Sequence, residues 1–334
     1  MFKNIRFSLY SSMFLLLVGA GCHSSSSPTV AAPTQGFAVT LLAANKASYG
    51  AAHTDTNLQD AWGLAYYNAT ATFWIANAGS GVATYYDSTG KFQKAFPVHG
   101  PGLTKGNPTG IVALNGDFLF ASLNGTLSQL TGFSDSANIV KDRSATSEFT
   151  GLATATVNGS TLFYAANFRN QSIDLFNQDF SLNEQKPGNY QSQSYTPYDV
   201  EVIDTQLYVT YALLNGTNAV AGAGNGYIDI FDLNGNFRKN LVVHGALNSP
   251  YGMAIAPTNF GSFAGKLLVG NFGDGKINVY DPTTGASLGS LNDASGNPIV
   301  IPNLSSLVVA NGTLYYTAAP NNFADGVFGK ITLP

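Results

Sequence analysis

One unit recurs six times along this chain, and a repeat on that scale restricts the fold more than any single motif does. Each copy has a small residue beside apolar ones, a turn, an aromatic-rich strand, a polar turn, and an alternating strand that ends near Asp or Asn. The first copy reads Trp62-Gly63-Leu64-Ala65, Phe73-Trp74-Ile75-Ala76-Asn77 and Ala83-Thr84-Tyr85-Tyr86-Asp87. The fifth reads Pro250-Tyr251-Gly252-Met253-Ala254, Leu267-Leu268-Val269-Gly270-Asn271 and Lys276-Ile277-Asn278-Val279-Tyr280-Asp281. Positions 63, 110, 151, 199, 252 and 306 anchor the six copies, at separations of 47, 41, 48, 53 and 54 residues. Period-two alternation with β-branched and aromatic residues makes each segment a strand. That period suits a four-stranded propeller blade, and six copies fall within the usual ~4–8. The sequence therefore predicts an all-β chain: a six-bladed β-propeller of four-stranded antiparallel blades over residues 37–334.

The last copy reaches Leu333 with only three strands, while Phe37-Ala38-Val39-Thr40-Leu41-Leu42 precedes the first copy without a blade of its own. This N-terminal strand is expected to complete the last blade and close the ring, which protects edges that otherwise invite aggregation. Asn-Gly pairs at 115–116, 124–125, 158–159, 215–216, 225–226, 234–235 and 311–312 mark hairpins, because a type I′ turn needs positive φ at both central residues. Hydrophobic residues, at 45%, supply a substantial core, but charged residues are only 10% against roughly 25% in an average soluble domain. The polar surface must then be built from Asn, Ser, Thr, Gly and Gln, as in exported β-proteins. There is no basic stripe and no Arg-rich helix, so nucleic-acid binding has no electrostatic footprint. The chain is expected to act as a monomer.

Residues 1–21 read as a targeting signal. Lys3 and Arg6 form a positive region, and the apolar run to Ala20 is too short to span a bilayer, which takes ~20 residues. It ends in Leu17-Val18-Gly19-Ala20-Gly21-Cys22, the only cysteine in the chain. That ending resembles a bacterial lipobox, in which cleavage precedes a cysteine that receives diacylglycerol; Gly19 departs from the aliphatic residue usual there. Residues 22–36 then read as a lipidated Cys22 and a flexible tether. His23 after the cysteine, by resemblance to enterobacterial sorting, favours the outer membrane, on its periplasmic or surface side. Removing Lys3 and Arg6 takes the net charge from −4 to −6.

The motif Pro-x-Gly-apolar-Ala, then aromatic-Val/Ile-Ala-Asn, then Ile-x-Val-Tyr-Asp resembles NHL and YVTN-type propeller repeats. More closely, the chain is similar to an uncharacterised family of secreted bacterial β-propeller proteins. The likeness is carried by Asp60-Ala61-Trp62-Gly63-Leu64-Ala65, Gly224-Asn225-Gly226-Tyr227-Ile228-Asp229-Ile230-Phe231-Asp232 and the run from Leu247 to Gly285. It implies a fold and an exported location, and no established activity.

In a propeller, the loop leading into a blade and the loop between its second and third strands share one face. Here that face should hold Asp60, Trp62, Asn107, Tyr198, Tyr251, Asn303 and the turns beginning at Asn77, Asn167, Tyr211 and Asn271. The rings of Trp62, Tyr198, Tyr211 and Tyr251 are candidates for a stacking floor, with Asn77, Asn167 and Asn271 offering amide contacts nearer the axis. The longest insertion within a blade, Leu213 to Gly226, should lie over them, where long loops carry binding function. Alternating amides around a channel suit Ca²⁺, which takes oxygen ligands, and gluconolactonase-like propellers, which the chain resembles in fold, hold an axial metal. Asparagine is equally a turn residue at strand ends. His99 and His244 read as ends of outer strands rather than a pair across the channel. Asp87, Asp232 and Asp281, each followed by a nearby glycine, read as turn residues. No nucleophile elbow, zinc helix or phosphate loop is present. Two functions remain: a membrane-anchored binding or scaffold module for a peptide, glycan or protein, without a cofactor, and a metal-dependent hydrolase or lyase of the lactonase-like sort.

Overall fold

The computed structural model describes residues 36–132, 134–187, 194–216 and 218–334. The signal segment and Cys22 lie outside the described residues. Six antiparallel four-stranded blades form a β-propeller. Blade one comprises Ala61–Tyr67, Thr72–Asn77, Val82–Tyr86 and Phe92–Pro97. Blade two comprises Pro108–Leu114, Asp117–Ser122, Thr126–Leu130 and Asn138–Asp142. Blade three comprises Phe149–Val157, Ser160–Asn167, Ser172–Asn177 and Leu182–Pro187. Blade four comprises Tyr195–Ile203, Gln206–Asn215, Gly226–Asp232 and Phe237–Val243. Blade five comprises Pro250–Ile255, Leu267–Asn271, Ile277–Tyr280 and Ser287–Ser290.

Blade six is a composite. Leu304–Ala310, Thr313–Ala318 and Val327–Thr332 are its inner three strands, and Ala38–Ala44 supplies the outer one. The added strand pairs antiparallel from Ala38 opposite Thr332 to Ala44 opposite Val327, as the strand count in the sequence requires. A short parallel strand, His53–Thr54, then lies along Ala43 and Ala44. The seam is reinforced at Asp325, which accepts hydrogen bonds from Asn45 Nδ2 and Tyr49 Oη and pairs with Lys46 Nζ at 2.7 Å.

The inner strands pack side by side around the axis, so the anchor positions of the repeat face the neighbouring blade. A Cβ on Gly63 would lie 2.4 Å from the Thr109 carbonyl, and one on Gly151 would lie 2.2 Å from Asp199 Oδ1. The repeat keeps glycine at four anchors because adjoining backbones leave no room for a side chain. Hydroxyls stitch blade to blade at the same level: Thr109 Oγ1 donates to Phe149 O (2.8 Å), Thr210 Oγ1 to Tyr251 O (3.2 Å), and Thr317 Oγ1 to Trp62 O. Apolar clusters fill the spaces between blades, as where Phe73, Ile75 and Tyr86 of blade one meet Tyr315 and Phe328 of blade six.

Of the seven Asn-Gly pairs, those at 115, 158 and 311 have positive φ at both residues and form the tight inner hairpins of blades two, three and six. The others sit in looser turns; at 124, 215 and 234 only the glycine has positive φ. Asp87, Asp232 and Asp281 are turn residues, their carboxylates accepting backbone N–H bonds two to four positions ahead.

Candidate functional site

At the face carrying the blade-entering loops, a cavity of about 420 Å³ opens over the axis. All six blades contribute to it. Asp60 and Trp62 come from blade one, Leu123 from blade two, and Glu148, Thr150 and Phe168 from blade three. Tyr198, Asn218 and Ala219 belong to blade four, Phe272 to blade five, and Phe323 to the loop between the second and third strands of blade six. Asn218 and Ala219 pair back onto Leu214 and Asn215, so the 213–226 insertion forms part of the rim as the sequence implied. A second recess of about 240 Å³, with Arg169, Leu214 and Gly216, shares Glu148 and Phe168.

The floor is aromatic. Trp62 meets Tyr198 edge-on at 6.1 Å and Tyr251 at 5.4 Å, and Phe168 lies 5.6 Å from Tyr198. Phe272 lies 6.0 Å from Trp62 and 5.7 Å from Tyr198, and stacks on Phe323 at 5.6 Å. Phe323 is 43% exposed. It closes a run of three left-handed residues, Asn321, Asn322 and Phe323, with φ of 57°, 51° and 66°. A bulky residue rarely occupies that region, and such outliers persist where the surroundings impose them. The imposing contacts are at hand: Phe323 N–H donates to Ala319 O and Asn321 Nδ2 to Asp325 Oδ2, the carboxylate of the seam.

Two carboxyls border the floor. Trp62 Nε1 donates to Asp60 Oδ1 at 2.7 Å. Burial nevertheless pushes the Asp60 carboxyl up to about 6. Burial also raises Glu148, and Arg169 only partly offsets it.

The sequence placed Trp62 and Tyr198 in this mouth, and both line it. Tyr251 lies beneath them, fully buried, its hydroxyl donating to Thr150 O. Tyr211 does not reach the mouth; it packs between blades three and four with Tyr195 and Tyr227. Asn77, Asn167 and Asn271 do not face it either. All three are wholly buried. Asn77 Nδ2 donates to Val82 O and Thr84 Oγ1, Asn167 Nδ2 to Ser147 Oγ and Asp174 Oδ2, and Asn271 Nδ2 to Ala246 O. Turn chemistry claims their amide nitrogens, whereas Asn77 Oδ1 is buried with no hydrogen-bond partner among the described residues.

The reason is register. Successive strand side chains point to opposite faces, so it is the residue after each asparagine that faces the mouth: Ala78, Phe168 and Phe272. Leu123 follows Ser122 in the same way. Phe168 and Phe272 each stand one position beyond an asparagine that the repeat marks out.

Lower in the channel, blade four carries Asp199 at the anchor where blades one, two, three and five have glycine, and Glu201 follows on the same face of the strand. Burial, then the neighbouring Glu201, holds the Asp199 carboxyl well above the usual range, and burial lifts Glu201 to about 8. Glu201 borders the opposite channel mouth among Ala65, Val112, Ala153 and Val308. Among the described residues no three His, Cys, Asp or Glu side chains are grouped as metal ligands. His99 and His244 belong to outer-strand ends; His244 bonds Tyr227 Oη at 2.8 Å.

No family model matches the chain. It is 33% identical over 314 residues to "Uncharacterized protein R648" of Acanthamoeba polyphaga mimivirus, covering 84% of this chain and 76% of that protein. The chain belongs to the R648 family. "Uncharacterized protein L690" of the same virus is 29% identical over 310 residues, covering 84% of this chain and 82% of that protein. These R648-family relatives are proteins of a giant virus, whereas the motif resemblance implied bacterial ones. Among solved structures, virginiamycin B lyase from Staphylococcus aureus superposes with a TM-score of 0.57 at 12% identity, covering 89% of this chain and 100% of that one. A luciferin-regenerating enzyme gives 0.57 at 12%, covering 89% and 95%. At that identity the likeness is one of fold.

Proposed function

We propose that this chain is a binding module that takes a ligand in the aromatic mouth at the loop face of the propeller. The observation that carries this reading is the cavity itself, walled by side chains from all six blades and floored by Trp62, Tyr198 and Phe272. Its volume falls within the roughly 300–1,000 Å³ of small-molecule sites, and it has their composition, apolar walls with a few polar groups. A strained aromatic at the rim, Phe323, and a long loop from blade four flank the opening. In the same proposal the module is exported and held at a membrane by lipid on Cys22.

The test is a thermal-shift screen of the full chain in detergent against glycans, peptides and small metabolites. Any hit is then measured by calorimetry against Phe272→Ala, Phe323→Ala and a deletion of residues 215–224. Each change should weaken binding at least tenfold. Tyr251→Ala is unsuited, because that ring supports the floor from below. A ligand whose affinity survives all three changes binds elsewhere, and the proposal fails.

A further inference from the structure

We propose that the mouth selects for positive charge, and that its ligand presents an organic ammonium group on an apolar body. This inference rests on the mouth being the binding site. Eleven residues line the cavity, and the only two that carry charge are both acidic, Asp60 and Glu148. Asp60 has one oxygen engaged by the Trp62 indole, and its Oδ2 has no partner among the described residues. Around them stand the faces and edges of Trp62, Tyr198, Phe272 and Phe323.

A cation within about 6 Å of a ring centroid gains from the ring quadrupole, more so where water is excluded. A carboxylate beside the ring adds a direct partner, so rings and acids together favour a cation that keeps an apolar body. An anion would meet two carboxyls and the negative faces of the rings. Two basic side chains approach from outside. Arg169 is exposed beside Glu148 in the adjoining recess, and the Lys105 ammonium donates to Gly79 O at 2.7 Å. Neither is among the residues that line the cavity.

Proton linkage supplies an independent readout. The titratable groups at the mouth are Asp60, Glu148 and Tyr198, with Arg169 outside. Because burial holds Asp60 near 6, the carboxyl is half protonated there, and a bound ammonium favours the ionised form. Affinity for the cation should therefore rise as pH goes from 5 to 7.

The probes are phenethylammonium, 2-phenylethanol and 3-phenylpropionate, titrated against the full chain in detergent by calorimetry and tryptophan fluorescence. The ammonium should bind at least tenfold tighter than the alcohol, and the propionate weakest. Asp60→Asn and Glu148→Gln should each cut the ratio of ammonium to alcohol affinity several-fold, with a melting temperature near that of the parent. Phe323→Ala, at a half-exposed site, should weaken all aromatic probes without unfolding the chain. The proposal is overturned if the alcohol matches the ammonium, if the propionate binds best, or if the preference survives both acid substitutions. If a neutral ligand binds better than the ammonium and Phe272→Ala abolishes its binding, charge selection is wrong and the mouth is still the site. If no probe or screened ligand responds to Phe272→Ala or Phe323→Ala, both readings fall together.

Discussion

Replacing Glu201 by glutamine should stabilise the propeller at alkaline pH and leave it almost unchanged near pH 5. Folding raises the Glu201 carboxyl from 4.5 to about 8 because the channel wall takes it out of water. The folded chain then holds a proton that the unfolded chain releases. Stability is full below pH 4.5 and is lost as pH climbs through about 8. At roughly 1.36 kcal/mol per pH unit the ceiling on that loss is about 5 kcal/mol. Glu201 is only partly covered, at a mouth open to solvent, and screening there should leave about 2 kcal/mol. Glutamine keeps the shape and cannot ionise, so the loss should vanish except for the share due to Asp199. The assay is urea unfolding of the full chain in detergent at pH 5, 6.5 and 8.5, followed by circular dichroism and tryptophan emission to check for coincident transitions. Wild type should weaken across the series, and Glu201→Gln should gain about 2 kcal/mol on it at pH 8.5. Parallel pH profiles for the two proteins, or a variant weaker than wild type at pH 8.5, would refute the reasoning.

Cys22→Ser should release the chain from the detergent phase or leave it unprocessed, and unchanged phase partitioning would count against a lipid anchor. Gly63→Ala should cost about 1–3 kcal/mol in chemical denaturation, because the new methyl meets the Thr109 carbonyl; a neutral result would mean the inner strands move apart freely. Deleting residues 36–44 should uncover the edge of Val327–Thr332 and give higher-order species on size-exclusion chromatography, whereas a monodisperse product of unchanged melting temperature would deny the seam its role.

The six blades and the closing strand were legible because period-two alternation and a fixed anchor spacing are long-range patterns, robust to an error of one residue. The mouth was legible only in part: Trp62, Tyr198 and the 213–226 loop are readable from the repeat, but for the rest a single position decides. Asn77, Asn167 and Asn271 drew attention by their chemistry, yet Phe168 and Phe272 beside them face the axis. Asp199 stood in plain view as the one acidic anchor among Gly63, Gly110, Gly151 and Gly252. Its significance needed the knowledge that anchors abut the next blade. Phe323 had no signal at all: Asn321, Asn322 and Phe323 take left-handed φ without a glycine among them, under contacts from the Asp325 seam.

That seam also sets an order of events. Ala38 pairs with Thr332, so the first strand of the propeller to leave the ribosome waits for nearly the last before it has its antiparallel partner. Until then its hydrogen-bonding edge is open, and five blades can assemble while the circle stays broken. Pairings so remote in sequence carry a high loop-closure cost. A chain arrested before Val327 retains the strands of five complete blades with no third strand of blade six to fasten the first strand against.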